Sequence, residues 1–234
     1  MSDLYIGAYW GPRQESVGQC SERLIACLER LRDCDEVFSQ WFEKGKSQRG
    51  ALALPFDSRS QEKTLQLLES GRSKRDVDRS TIEDLGFRVS LWNGQASTRS
   101  AMISIICGIY TANPHLRNSV VLDLPEDLGG FADKVHCVQV LKCIAQTWEP
   151  DWAGVISRKS RNSRSFNPEL PFVDWMVYVN QIGIVPVGLP ATATKMELAG
   201  KGTVVIVQDH PIDPSNLDDL SNVSAVSVSL SLTH

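Results

Sequence analysis

Two hydrophobic periods divide this chain. Residues 4–10 (LYIGAYW) form a nearly continuous apolar run, which predicts a strand broken by Gly11-Pro12. Ser16-Val17-Gly18-Gln19 has the S-x-x-Q form of a capping box and predicts a helix from there to about Asp33. Its apolar face is Val17, Cys20, Leu24, Cys27, Leu28 and Leu31, at alternating steps of three and four. Residues 37–43 read as a short strand or a helix end. Residues 58–70 read as a second helix, with Gly71 as its stop signal. A polar loop follows over 71–79, then a short helical turn over 81–85.

Strand periodicity dominates after that. Residues 87–93 alternate, with Phe87, Val89 and Leu91 on one face, and Asn93-Gly94 marks a turn. Residues 101–110 are apolar and β-branched, and 119–124 form another strand, so an antiparallel meander of three is the simplest arrangement. Residues 131–148 predict a helix apolar on most sides and therefore buried between layers. Strands are expected at 152–157, 172–179 and 203–208, with a basic Ser/Asn-rich loop over 158–170. Gly200-Lys201-Gly202-Thr203 precedes a strand and reads as a hairpin turn, since a phosphate cradle needs a helix there. A short helix at 217–220 and a strictly alternating edge strand at 225–230 end the chain. Runs of strands rather than βαβ alternation predict an α+β fold, mainly antiparallel sheet with helices packed against it. A single domain, residues 1–234, accommodates this order. The alternative is two similar α+β halves, about 1–125 and 126–234.

Composition narrows the function classes. The 234 residues are 42% hydrophobic and 22% charged, which excludes disordered and collagen-like chains. Lys+Arg 24 against Asp+Glu 28 disfavours a general nucleic-acid binder. The N-terminus has no basic n-region or apolar h-region, and no run nears the roughly 18 apolar residues of a membrane span, so the expected compartment is the cytoplasm. Cys20, Cys27 and Cys34 lie seven apart on one helix, about 10 Å between neighbours, and read as small buried hydrophobes. His136, Cys137 and Cys143 lack the paired spacing of a metal site, and no cofactor or metal is expected.

Charge is unevenly spread. Residues 167–234 hold two basic and seven acidic side chains, and Glu197, Asp209, Asp213, Asp218 and Asp219 face only Lys195 and Lys201. An acidic end on a near-neutral body suits a basic partner, and equally suits solubility. Arg158-Lys159-Ser160-Arg161-Asn162-Ser163-Arg164 packs four cations into seven residues and could meet phosphates or form a solvated loop. No G-x-S-x-G elbow or complete phosphate-loop motif occurs.

Several segments together resemble a known family. Gly7-Ala8-Tyr9-Trp10-Gly11-Pro12-Arg13 before the Cys20 helix, Val89-Ser90-Leu91-Trp92-Asn93-Gly94, Asp174-Trp175-Met176-Val177-Tyr178, and residues 202–208 with Asp209 and Pro211 look like immunity protein family fifty-two of bacterial polymorphic toxin systems. The resemblance spans about residues 5–220. It implies a cytoplasmic protein with no catalytic residues. Its partner would be a cognate nuclease toxin of restriction-endonuclease-like fold, of the kind delivered by type VI secretion. The candidate contact set is Trp10, Arg13, Asp209, Asp213, Asp218 and Asp219. Each also has a structural reading: Trp10 and Arg13 as a pin between the first strand and first helix, Asp213 as a turn cap, Asp218 and Asp219 as helix-start charges. Two other readings stand beside this one: a small hydrolase or transferase, and a nucleic-acid-binding module using residues 158–164.

Overall fold

Strand β1 (Leu4–Trp10) has no free edge. It pairs antiparallel with β6 (Asn118–Asp123) on one side and β7 (Trp152–Ser157) on the other. In this computed structural model, which describes residues 3–45, 48–95, 97–127, 133–180 and 188–231, β1 lies in the middle of a ten-stranded sheet. The remaining strands are β2 (Trp41–Glu43), β3 (Pro55–Phe56), β4 (Leu85–Trp92), β5 (Met102–Ile109), β8 (Met176–Val179), β9 (Thr194–Leu198) and β10 (Gly202–Ile206). Their order is β3-β2-β4-β5-β6-β1-β7-β8-β10-β9. Every pairing between these strands is antiparallel, and β4-β5-β6 is the expected meander.

Alternation along β1 assigns the faces. Leu4, Ile6, Ala8 and Trp10 enter the main core, while Tyr5 and Tyr9 enter a second cluster with Trp152, Ile156 and Phe172. Helix α1 (Val17–Cys34) lies on the main-core side, between α3 (Gln61–Ser70) and α4 (Lys134–Trp148). The α1 capping box forms as its sequence requires: Gln19 N–H donates to Ser16 Oγ at 3.2 Å, and Ser16 N–H to Gln19 Oε1 at 2.9 Å. Cys20, Leu24, Cys27, Leu28 and Leu31 are buried along its inner face. Short helix α2 (Gln48–Leu52) links β2 to β3. The first residues of the expected 131–148 helix, Phe131 and Ala132, lie outside the described residues.

Two expectations are corrected. The basic segment is not a loop: Arg158–Ser163 form helix α5, started by Ser157, whose Oγ accepts from Ser160 N–H at 3.2 Å. The terminal alternating segment is not a strand: Leu217–Ser231 form one helix, α6. The alternating 225–230 segment also fits a helix, because with the preceding Val223 its Val226 and Leu230 are buried at steps of three and four. The serines that read as outward strand positions bond back to the helix, Ser227 Oγ to the Val223 carbonyl at 2.8 Å and Ser229 Oγ to that of Ala225 at 3.0 Å. The 200–203 segment does turn the β9–β10 hairpin, with Gly200 at φ +71°.

Candidate functional site

Helix α4 separates the candidate residues into two groups. Its 15 residues put its ends about 21 Å apart. Arg13 binds the last residue of that helix and Asp209 the first. The six residues therefore do not form one patch.

At the C-terminal end of α4 the side chains turn inward. Trp10 is 2% exposed and stacks on Trp148 with ring centroids 5.7 Å apart. Arg13 lies over the Trp10 ring, 5.0 Å from its centroid, and donates to the Trp148 carbonyl at 2.8 Å and the Glu149 carbonyl at 3.3 Å. Arg23 donates to the Thr147 carbonyl at 2.5 Å. Glu15 pairs with Arg13 at 3.2 Å and with Arg23 at 2.7 Å. Glu149 takes a left-handed φ of 49° and pairs with Lys201 and with Arg23, at 3.2 Å from the latter. The Lys201 ammonium, and then Arg23, hold its carboxyl below the ordinary range. Arg13 and Arg23 thus occupy carbonyls that a helix C-terminus leaves unpaired, and their charge opposes its dipole. Trp10 and Arg13 thus pin β1 and the following segment to α4, where the sequence pointed to α1.

At the N-terminal end of α4 the carboxylates stand outward. Asp209 follows β10, is exposed and pairs with Lys134, which lowers its pKa. Asp213 is exposed and accepts from Ser215 N–H at 2.9 Å and Ser215 Oγ at 2.7 Å, which lowers its pKa. Asp218 is exposed in the first turn of α6. Asp219 is 4% exposed; its Oδ2 accepts from Asp213 N–H at 2.9 Å, and His210 lies 3.7 Å from its Oδ1. Asp219 therefore holds the turn that presents the other three.

Sequence reasoning missed a third cluster beneath α5. Asp174 is fully buried. It accepts from Ser157 N–H at 2.6 Å, Ser160 Oγ at 2.6 Å and Arg164 Nη2 at 2.9 Å. Burial pushes its carboxyl up to about 6, against the pull of those donors. Arg158 pairs with Asp123 and lies over the Tyr5 ring, while Arg161 lies 4.4 Å from the centroid of Phe166. Three of this segment's four cations, Arg158, Arg161 and Arg164, thus face internal carboxylates or rings. The motif residue Asp174 was visible in the sequence, but its partners come from positions up to 17 residues away and only the fold gathers them.

The molecule is thus an antiparallel sheet backed by helices, its charges tied inward at one end of α4 and offered outward at the other. The model of the family described as Immunity protein 52 matches residues 2–230, and the chain belongs to that family. The solved structure titled Pseudomonas aeruginosa T6SS protein PA0821 is similar in fold, with a TM-score of 0.57 at 13% identity over 97% of this chain and 72% of that one. No curated protein matches the chain. Among the described residues no helix is long and apolar enough to cross a membrane.

Proposed function

We propose that this immunity-family chain binds and neutralises a nuclease toxin of restriction-endonuclease-like fold, protecting the bacterium that makes it, in the cytoplasm. The observation that carries the reading is an outward acidic corner, Asp209, Asp213 and Asp218, on a member of an immunity family. A DNase presents cations to its polyanionic substrate, and carboxylates held on a rigid turn complement that surface. Asp219 sets the turn; Trp10 and Arg13 serve through the frame. A tight contact of this kind buries roughly 1,600 Å² in total, with a few anchors carrying most of the affinity. The P. aeruginosa neighbour's T6SS title agrees with a toxin delivered between cells by type VI secretion.

The test is co-expression with the product of an adjacent nuclease gene. A stable complex that no longer cleaves DNA is the expected result. Failure to recover the complex, or cleavage continuing at saturation, overturns the reading.

A further inference from the structure

At the opposite end of the sheet from the acidic corner, α1, the β2–β3 hairpin and the start of α3 enclose a cleft of about 480 Å³. That volume is within the range of small-ligand sites. Three cations line it, Arg32 from α1, Arg59 from the turn before α3 and Lys63 from its first turn, with Asp57 as the one carboxylate. The Asp57 Oδ1 accepts from the Arg59 backbone N–H at 3.1 Å. Arg32 has only a 3.9 Å contact, to Asp33, and no ion pair engages Arg59 or Lys63 among the described residues. Three cations around one cleft, with a single carboxylate among them, leave a local positive excess that an anion would offset.

A second, independent feature is in the wall. Trp41 is 3% exposed, and its Nε1–H is buried with no acceptor among the described residues. The indoles of Trp92, Trp152 and Trp175 donate to Ser100, Pro168 and Gln208 at 2.8–3.0 Å. Trp10 and Trp148 also lack acceptors; all three indoles belong to the main core, and of the three Trp41 lines this cleft. A buried unsatisfied donor beside unpaired cations is a place for an acceptor with negative charge.

We propose that this cleft is an oxyanion-binding site, taking a carboxylate or phosphate group between Arg32, Arg59 and Lys63. It is separate from the acidic corner: eight strand spacings lie between β3 and β10, roughly 38 Å. The oxyanion arrives either as free phosphate or on an acidic segment of a second protein.

The experiment titrates the full chain with inorganic phosphate and, in a parallel arm, with a tetraglutamate peptide, following the Trp41 indole N–H by NMR. Saturable binding of either ligand is expected. Tighter binding of the peptide assigns the protein-borne source, and tighter binding of phosphate the free one. R59Q/K63Q, which changes two exposed side chains, is expected to weaken binding roughly tenfold, and D57N to tighten it about twofold. No saturable shift of Trp41 below roughly 10 mM of either ligand overturns the proposal. Equal affinities for wild type, R59Q/K63Q and D57N overturn it as well. Neither result bears on toxin neutralisation, which is read separately in the DNA-cleavage assay.

Discussion

The two ends of helix α4 both gather charged side chains and use them oppositely. At the C-terminal end Trp10, Arg13, Glu15, Arg23, Glu149 and Lys201 close on one another and on the helix carbonyls. At the N-terminal end Asp209, Asp213 and Asp218 are exposed around one buried carboxylate, Asp219. The difference lies in what remains unpaired. Helix carbonyls and a dipole draw cations inward, whereas a short polar turn can satisfy its own N–H groups and still leave carboxylate oxygens facing solvent. Charge content alone does not distinguish a fold-stabilising corner from one that faces solvent; the partners do.

The largest effect expected from breaking the first corner is Trp10→Ala. It removes a fully packed indole from between β1 and α4, and the cost is roughly 3–5 kcal/mol in chemical denaturation. A loss under 1 kcal/mol would mean that Trp10 is not the pin.

Asp174 comes next. Asp174→Ala leaves Arg164, Ser160 and the Ser157 N–H without their acceptor, costing roughly 2–4 kcal/mol. Asp174→Asn isolates the charge. The folded-state pKa of about 6 is above the unfolded value, so the stability Asp174 contributes is full below about pH 4 and is lost as pH rises through 6. The wild type's advantage over Asp174→Asn should therefore shrink between pH 4 and pH 7. Denaturation curves across that range that stay parallel would show that donors, not burial, set this carboxyl.

These two residues also show what the sequence could and could not reveal. Periodicity found β1, α1, the β4–β5–β6 meander and α4, because each buries one stripe at a fixed spacing. It misread α6 because alternating Val and Ser fit a strand as well as a helix. It missed β9, whose residues Thr194–Leu198 carry little apolar pattern as a half-exposed edge beside β10. The outward aspartates were legible from charge counts along the chain. The inward turn of Trp10 and Arg13 was not, since the ring Trp10 stacks on, Trp148, and the carbonyls Arg13 donates to, those of Trp148 and Glu149, come from a distant part of the chain, 135 and 136 residues from Arg13.

Arg13→Ala sharpens the comparison at smaller cost. It uncaps two α4 carbonyls and exposes one face of Trp10, for about 1–2 kcal/mol, without changing a solvent-facing carboxylate. If the corner is purely structural, affinity for the toxin is unchanged in any variant population that remains folded. An affinity loss larger than the folded fraction explains would move Arg13 into the interface.

The smallest effect on stability is expected where the effect on binding is largest. Asp209, Asp213 and Asp218 are exposed, and their partners are Lys134, Ser215 and the solvent around the first turn of α6. Asn at each position keeps the size and most of the hydrogen bonding, so D209N/D213N/D218N should melt with the wild type. Removing three charges that meet a cationic surface should slow association and weaken the complex roughly tenfold or more at low salt, with the gap closing as ionic strength rises. Asp219→Asn serves as the internal contrast: the same charge is removed from a buried side chain that holds the turn, so both melting temperature and affinity should fall. If the triple variant binds and inhibits like the wild type at every salt concentration, the exposed carboxylates are only a solvated surface, and the docking corner must be sought elsewhere on the sheet.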